Sequence, residues 1–364
     1  ASFAGLAAAE EAARRGQRVV VLERRRSVDA NVRTTGLLPP DAVDLLRPPP
    51  SVLGLRLDVI EACTSSGRSA RFERVGQGFT STDTRALLRV LAERAAAAGA
   101  DLRFGESVES VENGASARVM TQGGERLGAA LVIGADGARS RVGQSAGLDA
   151  PRSLLAGVER HLELATSAEG TLPTDACLLL FDRRMAPGYA AWIFRGAEGT
   201  WQAGVLGAMA SGFRPDLACD AFLSWLRLVR GMGRGRVVET RAGVVPAGGA
   251  VARCRRGRVL LVGDAAGHVS ALTAGGIGRA VESGRAAASW LEAPHEAEAA
   301  LLRVGRACGG WRSVARRALE WPLLPGCVLV AARAPGAAHA LIERVLFRPR
   351  PTGRPLRARG RTLA

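Results

Sequence analysis

The most constraining stretch lies at the start of the chain. Ala4–Arg15 is an Ala-rich run suited to a helix, with Gly16 where a helix C-terminus takes up a left-handed residue. Arg18–Leu22 then reads as an apolar strand closed by Glu23, with Arg24 beside it. Helix, strand and strand-end acid in this order form the second half of a dinucleotide-binding βαβ unit. There the helix N-terminus faces a pyrophosphate and the carboxylate accepts hydrogen bonds from a ribose. If Gly5 is the last glycine of G-x-G-x-x-G, Ser2 stands at the middle glycine and the first one precedes Ala1. The chain is therefore expected to lack the first strand of the unit, about ten residues ahead of Ala1. An Ala-rich surface helix followed by a strand would look similar, so the segment needs support from elsewhere.

Two later segments supply it. Ala129–Gly134 is an apolar run leading into Ala135-Asp136-Gly137-Ala138-Arg139-Ser140-Arg141, and Arg258–Val262 leads into Gly263-Asp264-Ala265-Ala266-Gly267. Each places a carboxylate and small residues at a strand C-terminus, where open α/β sheets bind ligands. The second continues through Thr273-Ala274-Gly275-Gly276-Ile277-Gly278 into a helix expected over Arg279–Leu291. Bare backbone N–H groups there allow close approach of a ring or a phosphate.

In this order the three segments resemble the FAD-dependent oxidoreductases of the para-hydroxybenzoate hydroxylase fold, and GDAAGHVSALTAGGIGRAVESG is most similar to the geranylgeranyl reductase branch. The resemblance spans residues 1–290 as ordered anchors. It implies that Glu23 holds the adenosine ribose, that Asp136 and Gly137 line the cofactor cleft, and that Asp264, after Gly263, bonds the ribityl chain. It also places Gly275, Gly276 and Ile277 at the flavin pyrimidine edge. Arg33-Thr34-Thr35-Gly36 matches the segment that crosses near the flavin, and Arg85 stands where the family has a cofactor-contacting Arg. Asp83, just before it, also reads as the N-cap of a helix over Ala86–Ala98.

The expected fold is α/β: a Rossmann-like FAD-binding domain without its first strand, an inserted antiparallel substrate sheet and a helical C-terminus. The FAD-binding domain takes residues 1–34, 76–150 and 245–293, and the substrate domain takes 35–75 and 151–244. A helical region follows over 294–347, then a disordered basic tail over 348–364. Leu102–Phe104, Val108–Val111 and Ala117–Thr121 read as a meander inserted before Asp136. Ala156–Leu164, Ala176–Phe181, Ala190–Phe194 and Thr200–Leu206 read as sheet, with Ala221–Val229 as a helix on it. Tyr189, Trp192, Phe194 and Trp201 place four of the sixteen aromatics close together. They read either as sheet core or as an apolar wall for a hydrophobic substrate. The reductase branch carries Tyr-x-Trp-x-Phe-Pro here, whereas this chain has one more residue between Tyr189 and Trp192, and Arg195 in place of Pro.

Composition adds exclusions. Fifty basic against 34 acidic residues give a formal net charge of +16 over 364 residues, yet every basic residue is Arg in a background rich in Ala and Gly. That pattern fits a GC-rich genome rather than a nucleic-acid partner, and no nucleic-acid-binding motif accompanies it. Six dispersed Cys, with no CxxC, support neither a metal site nor a redox dithiol. Ala1–Ala13 shows no signal-peptide pattern, and Leu323–Ile342 is broken by Pro325, Arg333 and Pro335, so a cytoplasmic setting is expected. The Arg-rich tail leaves open a peripheral contact with anionic lipid. Oligomeric state is not legible.

The resemblance implies electrons from NAD(P)H, with two enzyme readings. The first is reduction of C=C bonds in a hydrophobic, prenyl-like substrate; the second is hydroxylation of an aromatic or polyketide-like small molecule. The first is favoured because Gly267 rather than His follows Gly-Asp-Ala-Ala. Against it, the Cys-bearing motif of some archaeal reductases is replaced by Thr34-Thr35-Gly36-Leu37. His268 is the best titratable candidate for catalysis, although a loop histidine would look the same. A third reading is a truncated, non-catalytic remnant that no longer holds the flavin.

Overall fold

The computed structural model describes residues 1–73, 78–197, 199–209 and 212–318. The tail expected over 348–364 and the end of the C-terminal helical region lie outside the described residues.

The first helix runs over Phe3–Arg14 and ends at Gly16, whose φ of 75° is left-handed. Its Ala face lets another backbone come close. Ala4 lies against the helix Ile277–Ala288, where a Cβ on Gly284 would fall 2.2 Å from the Ala4 carbonyl oxygen and 3.1 Å from the Ala8 nitrogen. Gly263, with φ of 56°, completes the contact, since a Cβ there would meet that of Ala4 at 2.9 Å. The Ser283 hydroxyl accepts from Gly263 N at 3.0 Å and donates to Ala280 O at 3.0 Å, locking strand end to helix.

Val20–Glu23 pairs in parallel with Asp101–Phe104, and Val132–Gly134 pairs in parallel with Val259–Leu261. The last of these, flanked on its other side by the antiparallel strand Arg255–Arg256, is buried on both faces. Leu102–Phe104 therefore leaves the meander expected for it. The meander is Val108–Asn113, Ala117–Thr121 and Arg126–Ala129, and the run Ala129–Gly134 breaks after Ala129 so that Val132–Gly134 can join the parallel layer. The helix Thr84–Ala97 starts on Asp83, whose Oδ1 accepts from Ala86 N at 2.9 Å. Asp83 thus caps the helix.

The second layer is a seven-stranded sheet. Its strands lie in the order Arg236–Pro246, Leu154–Glu163, Trp201–Ala208, Ala190–Arg195, Ala176–Phe181, Val59–Thr64 and Ser69–Glu73. All pairs are antiparallel except Ala176–Phe181 with Val59–Thr64. The helix Pro215–Arg230, longer than the expected Ala221–Val229, starts on Pro215 and ends at left-handed Gly231. It buries Ala218, Cys219, Phe222, Leu223 and Leu226 against one face of the sheet, a helical stripe meeting Val158, Leu178, Leu180, Ile193 and Val205. The opposite face meets the segment 29–36 that follows Val20–Glu23: Arg241 Nη1 donates to Thr34 O at 2.8 Å, and a Cβ on Gly243 would come 3.3 Å from Arg33 O. Among the described residues no helix is long and apolar enough to cross a membrane.

The crossing of the two Ala- and Gly-rich helices leaves no room for a methyl group. Gly284→Ala should lower unfolding stability by about 1–3 kcal/mol through overpacking. Chemical denaturation would measure it, and an unchanged midpoint would show that the two helices separate without cost.

Candidate functional site

The C-terminal ends of the parallel strands bring together most of the residues expected there. At the end of Val20–Glu23, the Glu23 carboxylate accepts from Arg25 N at 2.9 Å and from the Arg25 guanidinium at 3.0 Å. Burial raises its pKa, the hydrogen bonds from Arg25 lower it, and the balance is downward. Arg25 is the basic partner of Glu23, while Arg24 beside it is exposed. Ser2 is the N-cap of the first helix with no side-chain bond, so the first-turn N–H groups carry no side-chain cap. A Cβ on Gly5 would lie 3.4 Å from that of Ala135, at the next strand end.

Asp136 is already engaged. Its Oδ1 accepts from the Ser140 hydroxyl and its Oδ2 from Val142 N at 3.1 Å, which pins the short helix Arg141–Ser145, while Gly137 turns with φ of 87°. Asp264 contrasts with it: none of the described residues donates a hydrogen bond to its carboxylate. The residue is half-buried, and with no donor to offset it this burial raises its pKa from 3.8 to about 6. Its Oδ1 would lie 3.4 Å from a Cβ on Gly276, the N-cap of the helix Ile277–Ala288, which has no side-chain cap. The turn into that helix is closed by Ser270 N to Gly275 O at 3.1 Å and Ala274 N to Ser270 O at 2.9 Å. Ala274 is held there at φ of 49°, a conformation that costs a non-glycine residue free energy. An acceptor without a donor, beside open N–H groups and two glycines, fits a polyhydroxyl chain and a ring edge.

The aromatic cluster divides between the two faces of the sheet. Trp192 pairs with Gly204 and Phe194 with Gln202, whereas Trp201 pairs with Arg195. Paired residues share a face, so Trp201 lies on the helix-facing side, away from Trp192. Trp201 is fully buried in that core and donates from Nε1 to Glu169 at 3.2 Å, which corrects its place in a substrate wall. Phe194 is also fully buried, packed with Leu57 and Cys177. Tyr189 and Trp192 remain partly exposed and pack with Leu155, Leu206, Val245 and Ala274, beside the Gly275–Gly276 turn.

His268 does not join this group. It is 1% exposed and lines a cavity of ≈ 330 Å³ with Gly249, Leu301 and Gly305. Burial, helped by Arg279, lowers its pKa to about 4, so near neutral pH the imidazole is uncharged. Arg85 is committed as well, donating to Asp29 O at 2.6 Å and to Glu239.

Sequence reasoning missed a buried polar row on the sheet face that carries Trp192. Glu159 is 4% exposed, His161 2% and Arg241 7%. Glu159 accepts from Trp192 Nε1 at 3.0 Å and lies 3.0 Å from His161 Nε2, while Arg241 binds Glu239 at 3.0 and 3.1 Å. Glu239 therefore receives both Arg85 and Arg241. Burial would raise its pKa, but these two guanidinium groups lower it on balance. No residue spacing marks these groups in the sequence.

The profile of the FAD binding domain family matches residues 1–155. The menaquinone reductase of Mycolicibacterium smegmatis is 32% identical over 308 residues, covering 79% of this chain and 74% of the relative. A digeranylgeranylglycerophospholipid reductase of Methanosarcina acetivorans is 33% identical over 221 residues, covering 57% of this chain and about half, 51%, of that protein. Among solved structures, a geranylgeranyl bacteriochlorophyll reductase-like protein of Thermoplasma acidophilum superposes with a TM-score of 0.79 at 18% identity, covering 95% of this chain and 94% of its own, a likeness of fold. The strand-end acids, the open helix start and these matches agree: the chain belongs to the FAD-dependent oxidoreductases of the para-hydroxybenzoate hydroxylase fold, in the geranylgeranyl reductase-like branch.

Proposed function

We propose that the protein takes electrons from NAD(P)H and reduces C=C bonds of a hydrophobic, prenyl-type substrate. The observation that carries this reading is the unpartnered Asp264 carboxylate beside the open start of Ile277–Ala288, next to the half-open apolar wall of Tyr189 and Trp192. The bound flavin would supply the two-electron step. Asp264 would accept from its ribityl hydroxyls, and the N–H groups following Gly276 would hold the ring edge. Glu23, kept ionised by Arg25, would accept from the adenosine ribose. Tyr189 and Trp192 would exclude water from the reacting bond and orient an apolar chain. The names of the relatives, reductases of a quinone and of prenyl-bearing lipids, support this chemistry over hydroxylation.

Flavin retention tests the carboxylate. Asp264→Ala should lower the FAD content of purified protein and weaken FAD binding about tenfold or more, the worth of a charge-assisted hydrogen bond. Unchanged absorbance near the flavin bands would remove Asp264 from the site.

Linkage gives a second check. Because the folded pKa of about 6 exceeds the ordinary 3.8, the folded apoprotein keeps a proton that the unfolded chain has lost. The stabilisation from that proton is complete below 3.8 and is lost as the pH rises through about 6. Asp264→Asn, neutral at every pH, should melt above wild-type apoprotein at about pH 7.5, with the gap closing toward about pH 4. Equal melting temperatures at the higher pH would contradict a desolvated carboxylate.

The reaction type is decided by product. With NADPH and geranylgeraniol under strictly anaerobic conditions, mass spectrometry should find products heavier by pairs of hydrogen atoms. Turnover that requires oxygen and adds an oxygen atom would replace reduction with hydroxylation.

A further inference from the structure

The polar row missed in the sequence sits on the same sheet face as Trp192, and its register is informative. Glu159 pairs with Gly204, and Gly204 pairs with Trp192, so the three form one cross-strand row, with Arg241 beyond Glu159. Side chains along such a row share a face, and Trp192 and Glu159 stand two strands apart with only a glycine between them. The indole spans the gap. A Cβ on Gly204 would lie 2.4 Å from Trp192 Cζ2 and 2.6 Å from Cε2, so the ring covers the place where a side chain would be. At its far end Nε1 donates to Glu159 Oε2 at 3.0 Å. The other carboxylate oxygen faces His161 Nε2 at 3.0 Å, and His161 is backed by Glu239 at 3.7 Å from Nδ1.

A buried carboxylate is costly unless its oxygens are used, and here both are. An aromatic ring on an open sheet face ordinarily has several rotamers. This one is restricted by the missing side chain beneath it and by an acceptor at its edge. A tryptophan laid flat presents a level surface next to Ala274 and the start of Ile277–Ala288. Freed from Glu159, it could stand up into the same space and narrow it.

We propose that Glu159 is a positioning residue that sets substrate specificity: together with Gly204 it holds the Trp192 indole flat, making a floor wide enough for an extended polyprenyl chain. The polyprenyl part rests on the proposed function above; the claim on Trp192 does not.

The test uses flavin-loaded protein of the full chain labelled with 5-fluorotryptophan, with the Trp192 resonance assigned by its loss in Trp192→Phe. Glu159→Ala should shift and broaden that fluorine signal while the other indoles stay in place. Glu159→Gln, which retains a carbonyl acceptor, should restore most of its position. Gly204→Ala should displace it as well, through the ring rather than the acceptor. In equilibrium binding of geranylgeraniol, Glu159→Ala should weaken affinity about tenfold, Glu159→Gln by less than about threefold, and Glu159→Ala added to Trp192→Phe should have no further effect. An unmoved Trp192 signal in Glu159→Ala, or equal binding losses for the Ala and Gln variants, would overturn the positioning role. If wild-type protein binds no geranylgeraniol while the fluorine signals respond as expected, the substrate reading fails and the positioning role stands. Should Glu159→Ala not fold, the comparison of Glu159→Gln with Gly204→Ala and Trp192→Phe still decides it.

Discussion

The fold depends on how closely the helix Phe3–Arg14 approaches the helix Ile277–Ala288. Ala4 is in contact with Gly284 on one side and Gly263 on the other, and Ser283 ties that strand end to its helix. Two helix starts, far apart in sequence, are thereby brought to the same edge of the parallel strands. One lies at Ser2 near Glu23, the other at Gly276 near Asp264. Neither start has a side-chain cap, and each stands next to a carboxylate. A long anionic cofactor that also carries hydroxyl groups suits that alternation. Small residues at the crossing set how closely the two helix starts approach.

The second organising contact lies between the layers. The segment 29–36 follows the strand Val20–Glu23 and runs across the other sheet, where Arg241 holds the Thr34 carbonyl and Arg85 holds that of Asp29. The wall carrying Trp192 is in this way referenced to the strand ending in Glu23. Packing alone would let two such layers slide, whereas directional bonds to backbone carbonyls fix their register.

Much of the parallel layer was legible because its signals are local. A small-residue helix, a glycine stop, an apolar strand and a terminal acid occur within one short stretch, and Gly263-Asp264 repeats the logic at another strand end. The strand Arg236–Pro246 escaped notice for a physical reason. It turns Arg241 inward while Val237 and Val238 stay exposed, so its polarity pattern is inverted relative to an ordinary sheet edge. Glu159 and His161 escaped for the same reason, lying in a strand buried on both sides where charge is not expected. The aromatic run was visible, but its division between two faces follows from cross-strand pairing, which adjacency in sequence cannot reveal. Trp201 shows the difference: close to Trp192 along the chain, it belongs to the core beneath the sheet. His268 also looked like chemistry in the sequence, and desolvation leaves it a neutral packing group.

Glu239 receives two guanidinium groups, one from each layer, and this makes inherited change at the seam lopsided. If either arginine is replaced, the acid still has the other as counter-charge, and the seam is weakened rather than broken. If the acid is replaced, two cations are left facing each other, Arg241 buried and Arg85 partly exposed, each still bound to a backbone carbonyl. A lineage can therefore vary Arg85 or Arg241 one at a time, whereas losing Glu239 is costly while both arginines remain. The order in which substitutions can accumulate at this joint is set by charge arithmetic.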